Sequence, residues 1–366
     1  MRVIVSGGGT GGHINPAIAI AKYIKEIEPD SEILYVGTEH GLEKKLVPAQ
    51  DIEIKYIDVY GFKRKLSPQN IYIAYKAVKA IGDSKKILSE FKPDVVIGTG
   101  GYVCGPLLQA AVKMKIPTLI HEQNVIPGMT VKMLADKVDI VATSFDTTKN
   151  YLKKHKKIVL TGNPVRADLL KVTRYEARIK FNLDEKPTVL FMGGSLGARS
   201  INNALVEIVS KNMAEDYNII ASTGERNYDE VMSEIKKTLS EIPANITIQP
   251  YIFNTDVAFA AADIIICRTG AITVSELAAT GKPSIVVPSP NVAHNHQEYN
   301  ARYLSDRGAA VLIHDDELTG LKLNAEILAL INNQELLADM SKNAKTVAIY
   351  DATDKIYTAV KSLLEN

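Results

Sequence analysis

Short apolar runs rich in valine and isoleucine alternate with longer amphipathic segments along most of the chain. Apolar runs without strict polar alternation are typical of strands that helices cover on both faces. Strands that alternate with helices predict parallel sheets and therefore an α/β architecture. The predicted strands are residues 2–6, 32–36, 53–59, 94–98, 117–121, 140–143, 158–161, 188–192, 218–222, 246–250, 263–267, 284–288 and 310–313. The predicted helices include residues 16–27, 104–114, 201–211 and 274–279.

A strand, a glycine-rich loop and a helix follow one another twice along the chain. The first strand leads into the loop at residues 7–12, and the strand at 188–192 leads into the loop at 193–198. Each domain of a doubly wound protein starts with such a unit. Because Pro164 holds the residue before it in extended geometry, the boundary is placed there. We therefore predict two Rossmann-like, doubly wound parallel-sheet domains, residues 1–163 with a C-terminal helix at 348–366 that packs back onto them, and residues 164–347.

Composition and charge narrow the class of protein. The 366 residues carry 43 basic and 42 acidic side chains, so a formal charge of +1 gives no reason to expect nucleic-acid binding. Two cysteines argue against a disulfide framework and for a reducing compartment. No signal segment precedes the first strand, and no apolar run approaches the ~20 residues that span a bilayer. These features favour a cytoplasmic protein of two domains.

The glycine-rich loop at residues 7–12 is a candidate anion site. Glycine lets the backbone approach a ligand closely, and the helix that follows offers N–H groups to an anion. Gly7, Gly9 and Gly12 match the dinucleotide pattern G-x-G-x-x-G. That pattern also expects an acidic residue about 20 positions on, whereas Glu39 follows after roughly thirty, so the match is poor. The alternative is a tight turn needed only for folding.

Polar residues follow the predicted strands at the same edge of the first sheet. His13 comes directly after the glycine-rich loop, near a helix start, where a neutral imidazole is favoured and could act as a base. A purely structural histidine is the alternative. Residues 98–102 form a second glycine turn, and residues 121–124 are the polar run His-Glu-Gln-Asn. Ligands of open α/β sheets bind at this edge, so we expect a cleft wall; a plain polar loop is the alternative.

The second predicted domain carries a nucleotide-binding pattern. The strand at 263–267 leads to Gly270 and Ala271, whose small size lets a phosphate approach the next helix. Glu276 lies in the early turns of that helix, where its carboxylate could accept both hydroxyls of a ribose. A carboxylate that only complements the helix dipole is the alternative.

Three further side chains could complete this site. Ser195 and Arg166 are candidate donors to a diphosphate, although an ordinary surface arginine is the alternative for Arg166. Gln297 is a candidate ligand of sugar hydroxyls. No compact cluster of carboxylates, cysteines or histidines indicates a metal site.

Residues 61–92 are unusually basic and apolar. Eight basic side chains stand against Asp83 and Glu90, and aromatic and aliphatic residues are interleaved with them. This composition favours a membrane-surface patch that anionic lipid strengthens. The alternative is a core-packed helix with a solvated lysine face. The basic residues are Lys63, Arg64, Lys65, Lys76, Lys79, Lys85, Lys86 and Lys92.

Six motifs together resemble one family. They are GGTGGH at 8–13, GGYV at 100–103, HEQN at 121–124, GNPVR at 162–166, GGS at 193–195 and AITVSE at 271–276. In this order, over about residues 3–310, they resemble the MurG family, the peptidoglycan N-acetylglucosaminyltransferases of bacteria. The resemblance implies the GT-B fold, in which two Rossmann-like domains face each other across a cleft.

The resemblance also implies an activity and its partners. GlcNAc would pass with inversion from UDP-GlcNAc to the C4 hydroxyl of MurNAc in undecaprenyl-pyrophosphoryl-MurNAc-pentapeptide (lipid I). The product would be lipid II, the β-1,4-linked precursor for peptidoglycan biosynthesis, cell shape and cell division. We expect a hexosyltransferase without cofactor or metal, peripheral on the cytoplasmic face of the cell membrane, in contact with anionic lipid and with no nucleic acid.

Site residues follow by motif match. His13 is expected to accept the proton of the acceptor hydroxyl, with Glu122 as its substitute. Ile252 would meet uracil through its backbone, and Leu196 stands where many members have glutamine. Donors at 271–273, with Ser195 and Arg166, would stabilise departing UDP. Donor contacts are expected from Thr10, Gly11, Gly12, Asn124, Arg166, Ser195, Ile252, Ala271, Ile272, Thr273, Val274, Ser275, Glu276 and Gln297.

Three other functions compete with this interpretation. A UDP-GlcNAc 2-epimerase shares the architecture but has no lipid acceptor, so the stretch at 61–92 argues against it. A nicotinamide-dependent oxidoreductase could be built on residues 7–12, but the misplaced acidic residue and the second glycine loop argue against it. A non-catalytic nucleotide-binding module would bind the donor without transfer.

Overall fold

The computed structural model describes residues 1–62, 67–152, 155, 157–194 and 196–365. They form two compact units, Met1–Pro164 together with Ile349–Asn366, and Val165–Ala348. The predicted donor ligand Ser195 and residues 63–66 of the basic stretch lie outside the described residues.

The strands are short and mostly buried. In chain order they are β1 (Arg2–Ser6), β2 (Glu32–Gly37), β3 (Glu53–Tyr56), β4 (Val95–Gly98), β5 (Thr118–Glu122), β6 (Ile140–Thr143), β7 (Ile158–Leu160), β8 (Thr188–Met192), β9 (Asn218–Ser222), β10 (Ile246–Gln249), β11 (Ile264–Cys267), β12 (Ser284–Val286) and β13 (Ala310–Leu312).

Helices connect most of these strands. In chain order they are α1 (Gly11–Ile27), α2 (Glu43–Leu46), α3 (Gln69–Phe91), α4 (Gly101–Lys113), α5 (Met129–Leu134), α6 (Arg174–Lys180), α7 (Arg199–Ser210), α8 (Tyr228–Lys236), α9 (Thr255–Ala261), α10 (Ala271–Thr280), α11 (His296–Ser305), α12 (Gly320–Ile331), α13 (Gln334–Thr346) and α14 (Ala352–Leu364).

Both sheets are parallel and wound in the same order. The first unit has the strand order β3-β2-β1-β4-β5-β6-β7, and the second has β10-β9-β8-β11-β12-β13. Neighbouring strands run parallel throughout these pairings. The winding reverses beside β1 in one unit and beside β8 in the other. In doubly wound folds the ligand crevice lies at that reversal, outside the carboxyl ends of the strands. The predicted fold class is confirmed.

Helices cover both faces of the first sheet, which explains why its strands do not alternate with polar residues. Ile4 of β1 packs into one core, with residues of α3 and α4. Its neighbours Val3 and Val5 pack into a second core on the opposite face, with residues of α1 and α14. Because both faces are buried, consecutive positions must be apolar.

Helix starts are the main error of the sequence-based expectation. The helix expected at 16–27 begins at Gly11, and the one expected at 104–114 begins at Gly101. Glycine was taken as loop and proline as a helix start, but Pro16 and Pro106 lie inside the two helices. The helices expected at 201–211 and 274–279 likewise begin earlier, as α7 and α10. Each helix therefore brings its N-terminus, the positive end of its dipole, close to the sheet edge.

Some strands end sooner than expected because their neighbours end. The strand expected at 53–59 stops at Tyr56, which pairs with Gly37, the last residue of β2. The strand expected at 284–288 stops at Val286, which pairs with the last residues of β11 and β13. A strand ends where its neighbours no longer offer partners for its backbone hydrogen bonds.

Candidate functional site

In the first unit, the loops after β1 and β4 pack directly against each other. A Cβ on Gly7 would lie 2.1 Å from Thr99 Oγ1, and one on Gly101, where φ is +78°, would lie 2.2 Å from Gly8 O. Only glycine permits this approach. The glycines therefore let the starts of α1 and α4 come together at one point of the sheet edge.

His13 lies at this meeting point, in the first turn of α1. Its Nδ1 is 3.0 Å from the carbonyl oxygen of Thr99 and 3.0 Å from Oε1 of Gln123. Both neighbours are acceptors, so Nδ1 carries the proton and Nε2 keeps its lone pair. A Cβ at residue 100 would come within 2.8 Å of this Nδ1, so Gly100 makes room for the ring.

The predicted ligands Thr10, Gly11 and Gly12 lie beside His13. Thr10 is the N-cap residue of α1, and its carbonyl oxygen accepts hydrogen bonds from the N–H groups of His13 and Ile14. The glycines form the first two positions of the helix. These residues and His13 therefore belong to one short segment of the first unit.

Glu122, the other predicted base, is buried at the end of β5. Its Oε1 accepts hydrogen bonds from the backbone N–H and the side-chain amide of Asn124, at 2.9 and 3.1 Å. Its Oε2 accepts one from the N–H of Gly128 at 2.7 Å. Burial raises the pKa of Glu122, and the hydrogen bonds to Asn124 and Gly128 oppose that shift. Both carboxylate oxygens thus hold the loop that follows β5.

In the second unit, a cavity of about 760 Å³ lies at the carboxyl ends of β8 and β11. Gly193 and Gly194 line one side, and Gly270, Thr273 and Gln297 line another. The structure thus brings together three segments that the sequence analysis assigned to one nucleotide site.

Gln297 is fixed by its neighbours at the second position of α11. Its Oε1 accepts a hydrogen bond from the N–H of Ser289 at 2.8 Å. Thr269 Oγ1 donates to its carbonyl oxygen at 2.7 Å. The side chain is therefore attached to the segment after β12, at the edge of the cavity.

Arg166 and Glu276 form an ion pair within the second unit. Arg166 Nε donates to Glu276 Oε1 at 3.2 Å, and Glu276 is only 8% exposed. Burial raises the pKa of Glu276, whereas the nearby Arg166 lowers it. The pair joins the segment before α6 to the second turn of α10, so a carboxylate and a guanidinium stand together next to a helix start.

The other predicted residues of α10 differ in what they offer a ligand. Val274 is fully buried, and its N–H donates to the carbonyl oxygen of Gly270 at 3.0 Å. Ser275 Oγ donates to the carbonyl oxygen of Ala271 at 3.1 Å. Ile272 is half-buried, as is Thr273, which lines the cavity. Of these residues, Thr273 in the first turn is the one that lines the cavity.

Ile252 stands apart from the cavity. It is a buried residue shortly after β10, and it does not appear among the described residues that line the cavity. Its neighbours Tyr251 and Phe253 form an edge-to-face aromatic pair with ring centroids 4.9 Å apart. That its backbone meets uracil stays a prediction.

Sequence reasoning missed Arg268 and Asp315, which both line the cavity. They form an ion pair. Arg268 Nη1 also donates to the carbonyl oxygens of Val287 and Pro288 at 3.1 and 3.3 Å, and Nη2 donates to Ser200 Oγ at 3.0 Å. Arg268 thus connects the ends of β11 and β12 with the start of α7. The available signal was an arginine directly between a buried strand and Gly270.

Among the described residues, no group of three or more His, Cys, Asp or Glu side chains could hold a metal ion. No described helix is both long enough and apolar enough to cross a membrane.

Sequence comparison identifies the family. The glycosyltransferase family 28 N-terminal domain matches residues 3–143, and the glycosyltransferase family 28 C-terminal domain matches residues 188–356. A relative from Acetivibrio thermocellus, named UDP-N-acetylglucosamine--N-acetylmuramyl-(pentapeptide) pyrophosphoryl-undecaprenol N-acetylglucosamine transferase, is 49% identical over 100% of this chain and 99% of its own. The chain belongs to the MurG family of glycosyltransferases. The crystal structure of MurG from Acinetobacter baumannii is similar as well, with 32% identity, a TM-score of 0.79 and 99% of each chain covered.

Structures outside the MurG family share the fold alone. The UDP-GlcNAc 2-epimerase from Neisseria meningitidis, solved with UDP-GlcNAc bound, has a TM-score of 0.65 over 100% of both chains but only 18% identity. Its likeness therefore supports two parallel α/β domains and carries no argument for epimerase activity.

Proposed function

We propose that this protein transfers GlcNAc from UDP-GlcNAc to the C4 hydroxyl of MurNAc in undecaprenyl-pyrophosphoryl-MurNAc-pentapeptide. The observation that carries this proposal is the 49% identity, over essentially the whole chain, to a relative named for that transfer. The sheet edge of the first unit also has a histidine, and the sheet edge of the second unit has a glycine-lined cavity. The reaction makes a β-1,4 bond with inversion and serves peptidoglycan biosynthesis.

The second unit is proposed to hold the donor. The diphosphate would bind at the start of α10, where helix N–H groups and the helix dipole favour an anion. Glu276 would accept the ribose hydroxyls, and Arg166, which contacts Glu276, would contribute a guanidinium to the phosphates. Gln297 would bind the sugar hydroxyls, and Ile252 would bind uracil through its backbone.

The first unit is proposed to hold the acceptor and the base. As the acceptor O4 forms its bond to C1 of GlcNAc, its proton passes to His13 Nε2, and the bond from C1 to the UDP oxygen breaks with its electrons on UDP. His13 suits this step because Nδ1 already carries a proton and Nε2 has the lone pair. Glu122 suits it less, because both its oxygens accept hydrogen bonds from the following loop.

Departing UDP gains one negative charge on the phosphate oxygen released from C1, and this charge must be stabilised. Donors already in place at the start of α10, with Arg166 and Ser195, are proposed to supply that stabilisation. Such donors are effective because they need no rearrangement when the charge develops.

Contact with the membrane is proposed for one face of α3. Ile71, Tyr75 and Val78 recur at helical spacing, and their exposed fractions are 77%, 63% and 69%. Tyr72 on the same helix and Phe62, which precedes the helix in the chain, are also exposed. We call these five residues the α3 surface. Exposed apolar residues next to lysines favour an interface with anionic lipid, where the acceptor would be embedded.

Lysines contribute unequally to this surface. Lys79, Lys85 and Lys86 are exposed on α3. Lys76 is ion-paired with Asp58, so its charge is already compensated. The attraction to anionic lipid would therefore come from the exposed lysines, with a contribution from the basic residues at 63–65.

A transfer assay tests the proposed function. Purified protein is incubated with radiolabelled UDP-GlcNAc and a lipid-linked MurNAc-pentapeptide, and the lipid product is digested to establish its linkage. We expect label in a β-1,4-linked GlcNAc-MurNAc disaccharide that depends on the acceptor. Formation of UDP-ManNAc without acceptor would indicate an epimerase, and donor binding without any product would indicate a binding module; either result would refute the proposal.

A further inference from the structure

A chain of hydrogen bonds, buried beyond His13, connects His13 with the end of the first unit's sheet. Gln123 Oε1 lies 3.0 Å from His13 Nδ1, and Gln123 Nε2 lies 2.9 Å from His121 Nδ1. On its other side, His121 Nε2 lies 2.9 Å from the carbonyl oxygen of Gly162. Gln123 and His121 are both almost completely buried. One buried amide therefore connects the buried ring of His121 with the half-buried ring of His13.

The chemistry of the end groups fixes every proton in this chain. The carbonyl oxygen of Gly162 can only accept, so His121 Nε2 must carry a proton. Burial lowers the pKa of His121 to about 4, so near neutral pH this ring has only that one proton. Its Nδ1 is then an acceptor, and the group that faces it must be the NH₂ of Gln123.

The amide of Gln123 consequently has only one possible orientation. If the amide were flipped, its oxygen would face the lone pair of His121 Nδ1, and its NH₂ would face the N–H of His13. The first contact could be repaired only by a second proton on His121, which burial disfavours. With the amide as observed, Oε1 must accept from the N–H at His13 Nδ1, a proton that the carbonyl oxygen of Thr99 shares at 3.0 Å.

We infer that Gln123, oriented by His121, is a positioning residue that holds the ring of His13 with its proton on Nδ1 and its lone pair on Nε2. The inference rests on the proposed function, because it assigns Gln123 a part in proton removal from the acceptor hydroxyl. Gln123 does not touch the reacting atoms in this account. It acts by fixing the tautomer and the rotation of the ring, as a carboxylate does beside other basic histidines.

Two substitutions separate this role from simple packing. Gln123→Met keeps a side chain of similar length but removes both hydrogen bonds. Gln123→Glu keeps an oxygen toward His13, and as a neutral acid it can also donate to His121 Nδ1. Gln50→Met is a matched control, because Gln50 makes a hydrogen bond to Lys22 elsewhere in the same unit.

Two measurements are made on each variant of the full chain. The first is kcat for transfer, with the Kd of UDP from calorimetry. The second is the ¹⁵N spectrum of protein labelled at the imidazole nitrogens, which distinguishes the two neutral tautomers. The chain has 7 histidines, and His13→Gln identifies the signals of His13. Thermal unfolding shows whether each variant folds.

We expect the wild-type His13 signals to show a proton on Nδ1. In Gln123→Met, kcat should fall by about 10-fold or more, the order of losing a hydrogen bond that orients a base. The His13 signals should move toward a mixture of tautomers, since only Thr99 O remains, and the Kd of UDP should stay unchanged. Gln123→Glu should recover most of the lost kcat, and Gln50→Met should resemble the wild type.

Other results overturn the inference. Wild-type kcat in Gln123→Met would do so, and so would a proton on Nε2 of His13 in the wild type. Equal losses in the Met and Glu variants would indicate packing alone. If Gln123→Met does not fold, the wild-type tautomer and the activity of Gln123→Glu still decide the question. Failure of the proposed function is distinct, because it would appear as no transfer by the wild type whatever its tautomer.

Discussion

In the first unit, the hydrogen bonds of each side chain determine which of its atoms can accept or donate a proton. His13 has two acceptors at Nδ1, so in the neutral ring the lone pair is on Nε2. Glu122 has donors at both oxygens. The two side chains come from separate motifs of the sequence, and their hydrogen bonds suit the first to proton uptake and the second to holding a loop.

His13→Ala should reduce turnover by ~10²–10⁴, the range for removal of a general base. The Kd of UDP should remain near the wild-type value, because the proposed donor site belongs to the other unit. Steady-state transfer kinetics and calorimetry with UDP measure the two effects. Unchanged turnover would mean that another group takes the proton.

Glu276→Gln should weaken UDP binding by about 10-fold or more, the order of a hydrogen bond to a charged group. The amide retains the volume of the carboxylate but can accept less from two ribose hydroxyls. Binding of 2′-deoxy-UDP, which lacks one ribose hydroxyl, is measured for comparison. Wild-type protein should bind UDP more tightly than 2′-deoxy-UDP, and the variant should lose much of that preference. If the variant preserves the full preference, Glu276 does not bind the ribose.

The sequence predicted some of these residues and not others, for identifiable reasons. The glycines and Glu276 could be predicted from the sequence because a strand, a loop and a helix follow one another there in a fixed order. Arg268 was missed because its importance comes from carbonyl oxygens at the end of β12 and from Asp315, far away in sequence. The ion pair of Arg166 with Glu276 also depends on distant segments, and no local pattern could predict it.

Among the elements, α3 has two different faces. Ile73, Ala80, Ile87 and Leu88 are buried, whereas the α3 surface is exposed. The sequence left open whether residues 61–92 form a membrane patch or a solvated lysine face. A solvated face alone does not explain three large apolar side chains at helical spacing.

Ile71→Ser combined with Val78→Ser should reduce binding to vesicles of anionic and zwitterionic lipid. Lys79→Glu should reduce binding further at low salt, by roughly 1 kcal/mol or more for the lost attraction. Ile179→Ser, at an exposed apolar position on α6 of the second unit, is the matched control and should bind like the wild type. Sedimentation with vesicles at increasing salt measures binding. Binding indifferent to the α3 substitutions, to lipid charge and to salt would contradict the proposal.

Helix α14 packs on α1 within the first unit. Glu28, at the end of α1, accepts hydrogen bonds from Tyr357 at 2.7 Å and Lys361 at 2.9 Å. The Lys361 contact is the largest cause that lowers the pKa of Glu28 from 4.5 to about 2. A lowered pKa in the folded state adds stability above the ordinary value, and that stability is lost as the pH falls from 4.5 toward 2.

Glu28→Gln should therefore lower the free energy of unfolding at pH 7, and its difference from the wild type should shrink as the pH falls below 4.5. Urea denaturation at pH 7, 5 and 3 measures the difference. Glu26→Gln, at an exposed position of the same helix, is the control and should have little effect. A difference that stays constant with pH would show that the charge of Glu28 does not stabilise the contact.

Element type was easier to predict than element bounds. The apolar runs located the strands of the two sheets, because a strand covered on both faces is mostly apolar. Helix starts were placed too late, because glycines in a first helical turn look like loop. The end of a strand depends on where the neighbouring strands end. The residues of the strand itself carry no information about that.

At the scale of the whole molecule, the two units repeat one winding. Both sheets have their first strand beside their fourth, and both candidate sites lie at the carboxyl ends of those strands. The sequence predicted this repeat from its two strand–loop–helix segments. It could not distinguish the roles of the two sites, since each has a glycine loop before a helix. Side-chain chemistry makes that distinction, with a basic histidine in one unit and a glycine-lined cavity near a buried carboxylate in the other.

The most direct test of this division is hydrogen exchange of the full chain with and without saturating UDP. The strongest slowing of exchange is expected in peptides that span residues 193–199 and 268–277, with a smaller effect in peptides that span residues 7–15, where Thr10, Gly11 and Gly12 are expected to contact the donor. Slower exchange confined to residues 7–15 would place the nucleotide in the first unit and contradict the account.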